Sequence, residues 1–174
     1  MGKKVIINIL RLIILVLLQA GLFKNIGYYN IASPYPYILF LLLLPIGISN
    51  FTLYLIAFAY GLIIDAFYDS IGLHAAACIC LMAFRIFFHN ITLDVEFKKS
   101  FITPSITQLG FKWFISYIAI GTFIHHLALF LIEAFSFKNI LYTLMGSLIS
   151  SVFSILVILL ITLLTYRKKS YVNG

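Results

Sequence analysis

Six apolar segments alternate with short polar loops along this chain, at 5–23, 36–48, 50–68, 72–88, 111–134 and 139–166. A membrane-crossing helix needs about 20 apolar residues, and five of the six runs approach or exceed that length. The second does not. A helix over its roughly 12 residues would rise only about 18 Å. Pro36 suits a helix start there, and Pro45 ends or kinks it. A linker over 24–35 carries Gly27, Tyr28, Tyr29, Asn30 and Ser33, and a longer polar loop over 90–108 carries Asp94, Glu96, Lys98, Lys99 and Pro104. The pattern predicts an all-α, polytopic transmembrane bundle of six helices with a short second helix, forming one integral membrane domain over 1–174.

Composition agrees. The chain has 174 residues, 63% of them hydrophobic and 10% charged, with a mean hydropathy of +1.12. A soluble domain needs a charged surface that this chain cannot supply. The first run follows Lys3 and Lys4 but is too long for a signal-peptide core, and no small-residue cleavage pattern follows it, so it reads as a retained span. Cys78 and Cys80 lie two apart within an apolar run and read as packing residues rather than a redox or metal pair.

The net charge of +7 could suggest nucleic acid, but the cations sit at helix ends and in short loops. With six spans and a cytoplasmic N-terminus, Lys3, Lys4, Arg11, Arg85, Lys98, Lys99, Lys112, Arg167, Lys168 and Lys169 fall on the inner side. Only Lys24 and Lys138 of the twelve Lys and Arg residues fall outside. A re-entrant second segment would nearly even that bias, so six spans and two cytoplasmic termini are expected. Tyr28, Tyr29, Tyr35 and Tyr37 would then sit at the outer interface, with Trp113 and Tyr166 at the inner one.

Small residues recur every four positions at Ala57, Gly61 and Asp65, at Gly72, Ala76 and Cys80, and at Gly146, Ser150 and Ser154. Such stripes let helix backbones approach closely in lipid. The plain reading is packing within the protein; the sharper one is that a stripe receives a partner's transmembrane helix. Ionisable residues within spans are costly and need an explanation. Arg11 and Arg85 lie toward inner ends, where their stems can snorkel, and Arg85 could also meet a cytoplasmic partner. Asp65, Asp69, His74, His125, His126 and Glu133 all fall in the outer half, on three antiparallel helices. They predict a polar cluster that is either structural or a partner- or ligand-binding site.

Catalytic motifs are absent. Asp65 and Asp69 form a D-x3-D, but the preceding D-x2-D-G of membrane phosphatidyl-alcohol transferases is missing. Met145-Gly146-Ser147-Leu148 is not the G-x-S-G of an intramembrane serine protease. Neither H-E-x-x-H nor a Walker motif occurs, and His125-His126 lacks a spaced third zinc ligand. No enzyme activity, cofactor or metal is expected.

The stretch Ala57-Phe-Ala-Tyr-Gly-Leu-Ile-Ile-Asp65-Ala-Phe-Tyr-Asp69-Ser-Ile-Gly72-Leu-His74-Ala-Ala-Ala-Cys, followed by Leu-Met-Ala-Phe-Arg85, resembles the MreD family of rod-shape-determining membrane proteins. So does Pro34-Tyr-Pro-Tyr-Ile-Leu-Phe with the apolar run to Pro45. The specific residues lie in about the first half of the chain; His125, His126 and Glu133 carry no family signature. The resemblance implies a non-enzymatic subunit of the bacterial cell-wall elongation machinery in the cytoplasmic membrane. Its partner would be an MreC-like protein, near the MreB filament, the glycosyltransferase RodA and a class B penicillin-binding protein. The family's fold is similar to the S-component of energy-coupling-factor vitamin transporters. The alternative reading is therefore a substrate-binding subunit of such a transporter, although fold likeness does not carry function.

Overall fold

The computed structural model describes residues 2–26, 33–135 and 139–165. Tyr28, Tyr29, Lys138, Tyr166 and the basic tail Arg167-Lys168-Lys169 lie outside them. Among the described residues the chain is all-helical: α1 (Gly2–Gly21), α2 (Ile38–Leu42), α3 (Asn50–Tyr68), α4 (Leu73–Thr92), α5 (Val95–Lys99), α6 (Ile106–Leu109), α7 (Phe111–Ala134) and α8 (Ile140–Leu164). Five of these, α1, α3, α4, α7 and α8, are long and apolar enough to cross a membrane. The second apolar segment, expected as a short spanning helix over 36–48, is helical only for the five residues of α2.

Neighbours along the chain pack on one another: α3 on α4, α4 on α7 and α7 on α8. The turn between α3 and α4 defines one end of the bundle, the hairpin end. The loop carrying α5 and α6 defines the other, the loop end. The C-terminal parts of α1 and α3 meet at the hairpin end, where the Gln19 amide donates to the Tyr68 hydroxyl at 2.6 Å and the Lys24 ammonium donates to the Phe67 carbonyl. Nearer the loop end, Asn8 and Ile9 line a common cavity with Ile56. Helices α1 and α3 therefore run parallel, and the chain between them must travel back along the bundle.

Residues 33–48 make that return through the middle of the protein. The segment starts at the level of His74, where the Tyr37 hydroxyl lies 2.9 Å from His74 Nδ1. It ends at the loop end, where the Ile46 amide donates to the Ile102 carbonyl at 2.8 Å. Tyr37, Ile38, Leu41 and Leu42 are completely buried. A 12-residue helix is too short for this path, whereas extended backbone advances about 3.3 Å per residue. One helical turn and a half, with extended or turn backbone on either side, supplies the reach. Pro34, Pro36 and Pro45 remove three backbone donors that would otherwise need partners in the interior.

Side chains of the surrounding helices meet much of the remaining backbone. Ser150 and Ser154 on α8 accept from the Ser33 and Tyr35 amides at 3.2 and 2.8 Å. On α1, Gln19 accepts from the Tyr37 amide at 3.4 Å and donates to the Pro34 carbonyl at 3.2 Å. The hydroxyls of Tyr60 and Tyr117 donate to the carbonyls of Tyr37 and Leu42 at 3.1 and 3.0 Å. Arg11 donates to the Leu43 carbonyl at 3.3 Å. Backbone buried outside a helix must find its hydrogen bonds within the protein, and here side chains from α1, α3, α7 and α8 supply them.

Small residues serve this packing. A Cβ on Gly61 would lie 2.3 Å from the Ala75 Cα, so α3 and α4 touch backbone to backbone there. Ala57 on the same stripe is fully buried. Gly146, Ser150 and Ser154 are buried on α8, while Gly72, just before α4, and Ala76, on it, are partly buried. The stripes at Ala57-Gly61 and Gly146-Ser150-Ser154 thus face inward.

Candidate functional site

The Asp65 carboxylate sits on α3 but serves α4. Its Oδ1 accepts from the His74 amide at 2.9 Å and the Ser70 hydroxyl at 2.6 Å; its Oδ2 accepts from the Ala75 amide at 3.1 Å. The first amides of a helix have no intrahelical acceptor, and an anion there also meets the positive end of the helix dipole. The residue before α4 is Gly72, with φ +80° and no side chain to cap with. Asp65 therefore caps α4 from the neighbouring helix. Asp69 ends α3 in the left-handed conformation at φ 54°. Its carboxylate points to solvent, 3.9 Å from the Lys24 ammonium.

Behind this hairpin lies a buried group of rings. The Tyr37 hydroxyl is 2.9 Å from His74 Nδ1 and 2.8 Å from His125 Nε2. His125 Nδ1 has no hydrogen-bond partner. The arrangement that avoids a buried orphan donor has His125 Nε2–H donating to Tyr37, and Tyr37 donating to His74, an assignment inferred from the network. Beside them, His126 Nδ1 donates to the Thr122 carbonyl at 2.8 Å. That leaves Nε2 to accept from the Ser154 hydroxyl at 2.9 Å, while Ser154 accepts from the Tyr35 amide. The Tyr35 ring lies 5.5 Å from the His74 ring and 5.3 Å from the His126 ring. Tyr35 packs against His74 and His126, Tyr37 against His74 and His125, and the His125 and His126 rings lie 5.4 Å apart.

Of the six residues expected in one polar cluster, Asp65, His74, His125 and His126 are buried together. Asp69 and Glu133 are exposed, and Asp69 pairs with Lys24 instead. Glu133 lies seven positions beyond His126, in the last turn of α7. Tyr35 and Tyr37, expected at a membrane interface, are buried instead. The broken segment has drawn their rings inward.

Arg85 departs furthest from its expected place. It does not snorkel; it is fully buried. Its Nε donates to the Tyr117 hydroxyl at 3.1 Å, and Nη2 donates to the Leu44 and Pro45 carbonyls at 2.6 and 3.1 Å. It thus holds the carbonyls that follow the broken-off α2. Nη1 has no hydrogen-bond partner. Burying an ion is expensive, several kcal/mol even after relaxation, and no carboxylate lies within ion-pair distance of Arg85 among the described residues.

His89 lies just past the apolar run at 72–88, but α4 continues to Thr92 and buries it one turn beyond Arg85. Its ring packs on Trp113 and Tyr117 at 5.8 and 5.3 Å. The i, i+4 spacing of Arg85 and His89 was visible in the sequence. Gln19, Tyr60 and Tyr117, which serve the segment's backbone, carried no local signal. Among the described residues, no group of three or more His, Cys, Asp or Glu side chains is placed to hold a metal. Comparison with protein-family models, characterised proteins and solved structures finds no significant match to this chain.

Proposed function

We propose that this chain is a non-enzymatic scaffold subunit of a bacterial cell-wall elongation complex, an MreD-like protein of the cytoplasmic membrane with both termini in the cytoplasm. The reading rests on the resemblance carried by 57–78 and on one structural observation. The polar groups of that stretch are engaged in building a helical hairpin: Asp65 caps α4, Asp69 and Gly72 make the turn, Gly61 seats α4 on α3, and His74 anchors Tyr37. A segment that builds shape suits a protein that acts by holding others in place.

In this reading the segment 33–48 crosses the membrane as a broken element, making six crossings with α1, α3, α4, α7 and α8. The basic loop with Lys98 and Lys99 then meets cytoplasmic anionic lipid. An MreC-like partner docks its transmembrane helix on a lipid-facing side, since the Ala57-Gly61 and Gly146-Ser154 stripes are filled by the protein's own helices. RodA, a class B penicillin-binding protein and the MreB filament are the expected neighbours.

Affinity purification of the chain from native membranes tests the proposal. An MreC-like protein and at least one peptidoglycan synthase component are expected to co-elute, and depletion is expected to round the cells. Clean purification without either, with rod shape kept after depletion, overturns it.

A further inference from the structure

We propose that the cavity beside Arg85 at the loop end of the bundle binds a phosphate-type oxyanion, drawn from a lipid headgroup or from solution. The cavity measures about 110 Å³ and is lined by Arg85, His89, Asn90 and Lys98, with Asn50 and Ile86 among its other walls. That is several times the roughly 10–15 Å³ that admits one water. Asn50 and Asn90 are exposed, so the cavity reaches the surface.

Two of its walls carry unsatisfied buried nitrogens. Arg85 is completely buried and His89 is 7% exposed, and Arg85 Nη1 and His89 Nε2 each lack a hydrogen-bond partner. Buried polar groups are nearly always paired, so two orphans on one cavity wall call for a shared acceptor. Charge makes the same demand. The guanidinium has no carboxylate counter-ion among the described residues, and Lys98, whose ammonium donates to the Asn90 carbonyl at 3.0 Å, adds a second cation at the rim. A neutral acceptor would satisfy the nitrogens and leave both charges uncompensated. A tetrahedral oxyanion satisfies both needs: one oxygen accepts from Nη1, another from His89 in the tautomer protonated at Nε2, which the anion itself would favour, and a third faces Lys98.

The donors are also held in place before any anion arrives. Arg85 is fixed by Tyr117, Leu44 and Pro45, and the His89 ring by Trp113 and Tyr117. The inference does not depend on the scaffold reading, since its test measures anion binding by the isolated chain.

The full chain is placed in phosphatidylcholine nanodiscs in chloride-poor buffer, and its unfolding midpoint is followed during titration with inorganic phosphate. A second arm replaces part of the lipid with phosphatidylglycerol. Arg85→Gln is ambiguous, because the same side chain holds the α2 carbonyls. The informative variants are His89→Phe, which keeps the ring packing, and Lys98→Gln, which lies at the rim. The midpoint is expected to rise in one or both arms and not with sodium chloride at equal ionic strength, and each variant should weaken the apparent affinity about tenfold. A response to phosphate marks a free-anion site; a response to phosphatidylglycerol alone marks a headgroup site. No shift in either arm, or an undiminished shift in both variants, overturns the proposal.

Discussion

Many of the buried polar side chains of this protein act on backbone. Asp65 receives the first amides of α4, Ser154 receives Tyr35, Tyr60 and Tyr117 cover carbonyls of Tyr37 and Leu42, and Arg85 covers those of Leu44 and Pro45. The physical cause is common to all: lipid offers no hydrogen bonds, so each backbone group outside a helix must find one in the protein. Asp65 gives the sharpest expectation. Asp65→Asn keeps one acceptor but loses the charge, and should lower stability by about 1–2 kcal/mol. Asp65→Ala leaves two buried amides and the Ser70 hydroxyl without their acceptor and should cost more, since each unpaired group carries about 1–3 kcal/mol. Thermal unfolding in detergent, read beside abundance in membranes, measures both. An Asp65→Asn protein with an unchanged midpoint that no longer retains its partner would instead place the carboxylate at an interface.

Two elements carry the architecture, the α3–α4 hairpin and the broken segment 33–48. The hairpin was legible because its signals are local: a D-x3-D ending a helix, a turn of Ser70-Ile71-Gly72, and small residues every four positions. The structure makes the last of these stringent at Gly61. A methyl group there would collide with backbone rather than with a movable side chain. Gly61→Ala should therefore reach or exceed the upper end of the roughly 1–3 kcal/mol typical of overpacking. Gly21→Ala, where nothing lies within 4 Å of the added carbon, serves as the control. The same unfolding measurement separates them. The broken segment was legible only as an anomaly, too short for a helix and rich in proline. Its partners are up to 119 residues away, as for Tyr35 and Ser154, and local pattern holds no record of contacts at that distance.

The bundle places its ends distinctly. Asp69 and Lys24 lie at the hairpin end, and Arg11, Arg85 and the 93–110 loop lie toward the other. If segment 33–48 crosses the membrane, position 96 and the N-terminus share a side and position 69 is opposite. If it returns without crossing, position 96 and the N-terminus are on opposite sides. Single cysteines at Gly2, Asp69 and Glu96, in a background with Cys78 and Cys80 replaced by Ala, decide this by reaction with an impermeant maleimide in intact cells. The expected outcome is labelling at 69 and protection at both 2 and 96; labelling at 2 with protection at 96 would show a segment that does not cross.

Hydropathy alone predicted six helices and marked the second as weak; five are long and apolar enough to cross a membrane and the second is helical for only five residues, because each depends on how many consecutive apolar residues the chain supplies. The spacing of small residues pointed to Ala57, Gly61, Gly146, Ser150 and Ser154, which are buried, and equally to Gly72 and Cys80, where the first has open space beside it and the second is exposed. The fate of the polar residues depended on folding. Asp69 and Glu133 share the helical spacing of their buried neighbours yet face outward, while Arg85 and Tyr37, which resemble interface residues in sequence, are among the most buried side chains of the protein. What separates them is the path of residues 33–48. Once that backbone runs through the centre of the bundle, the groups within its reach become its partners, and only its course in three dimensions determines which groups those are.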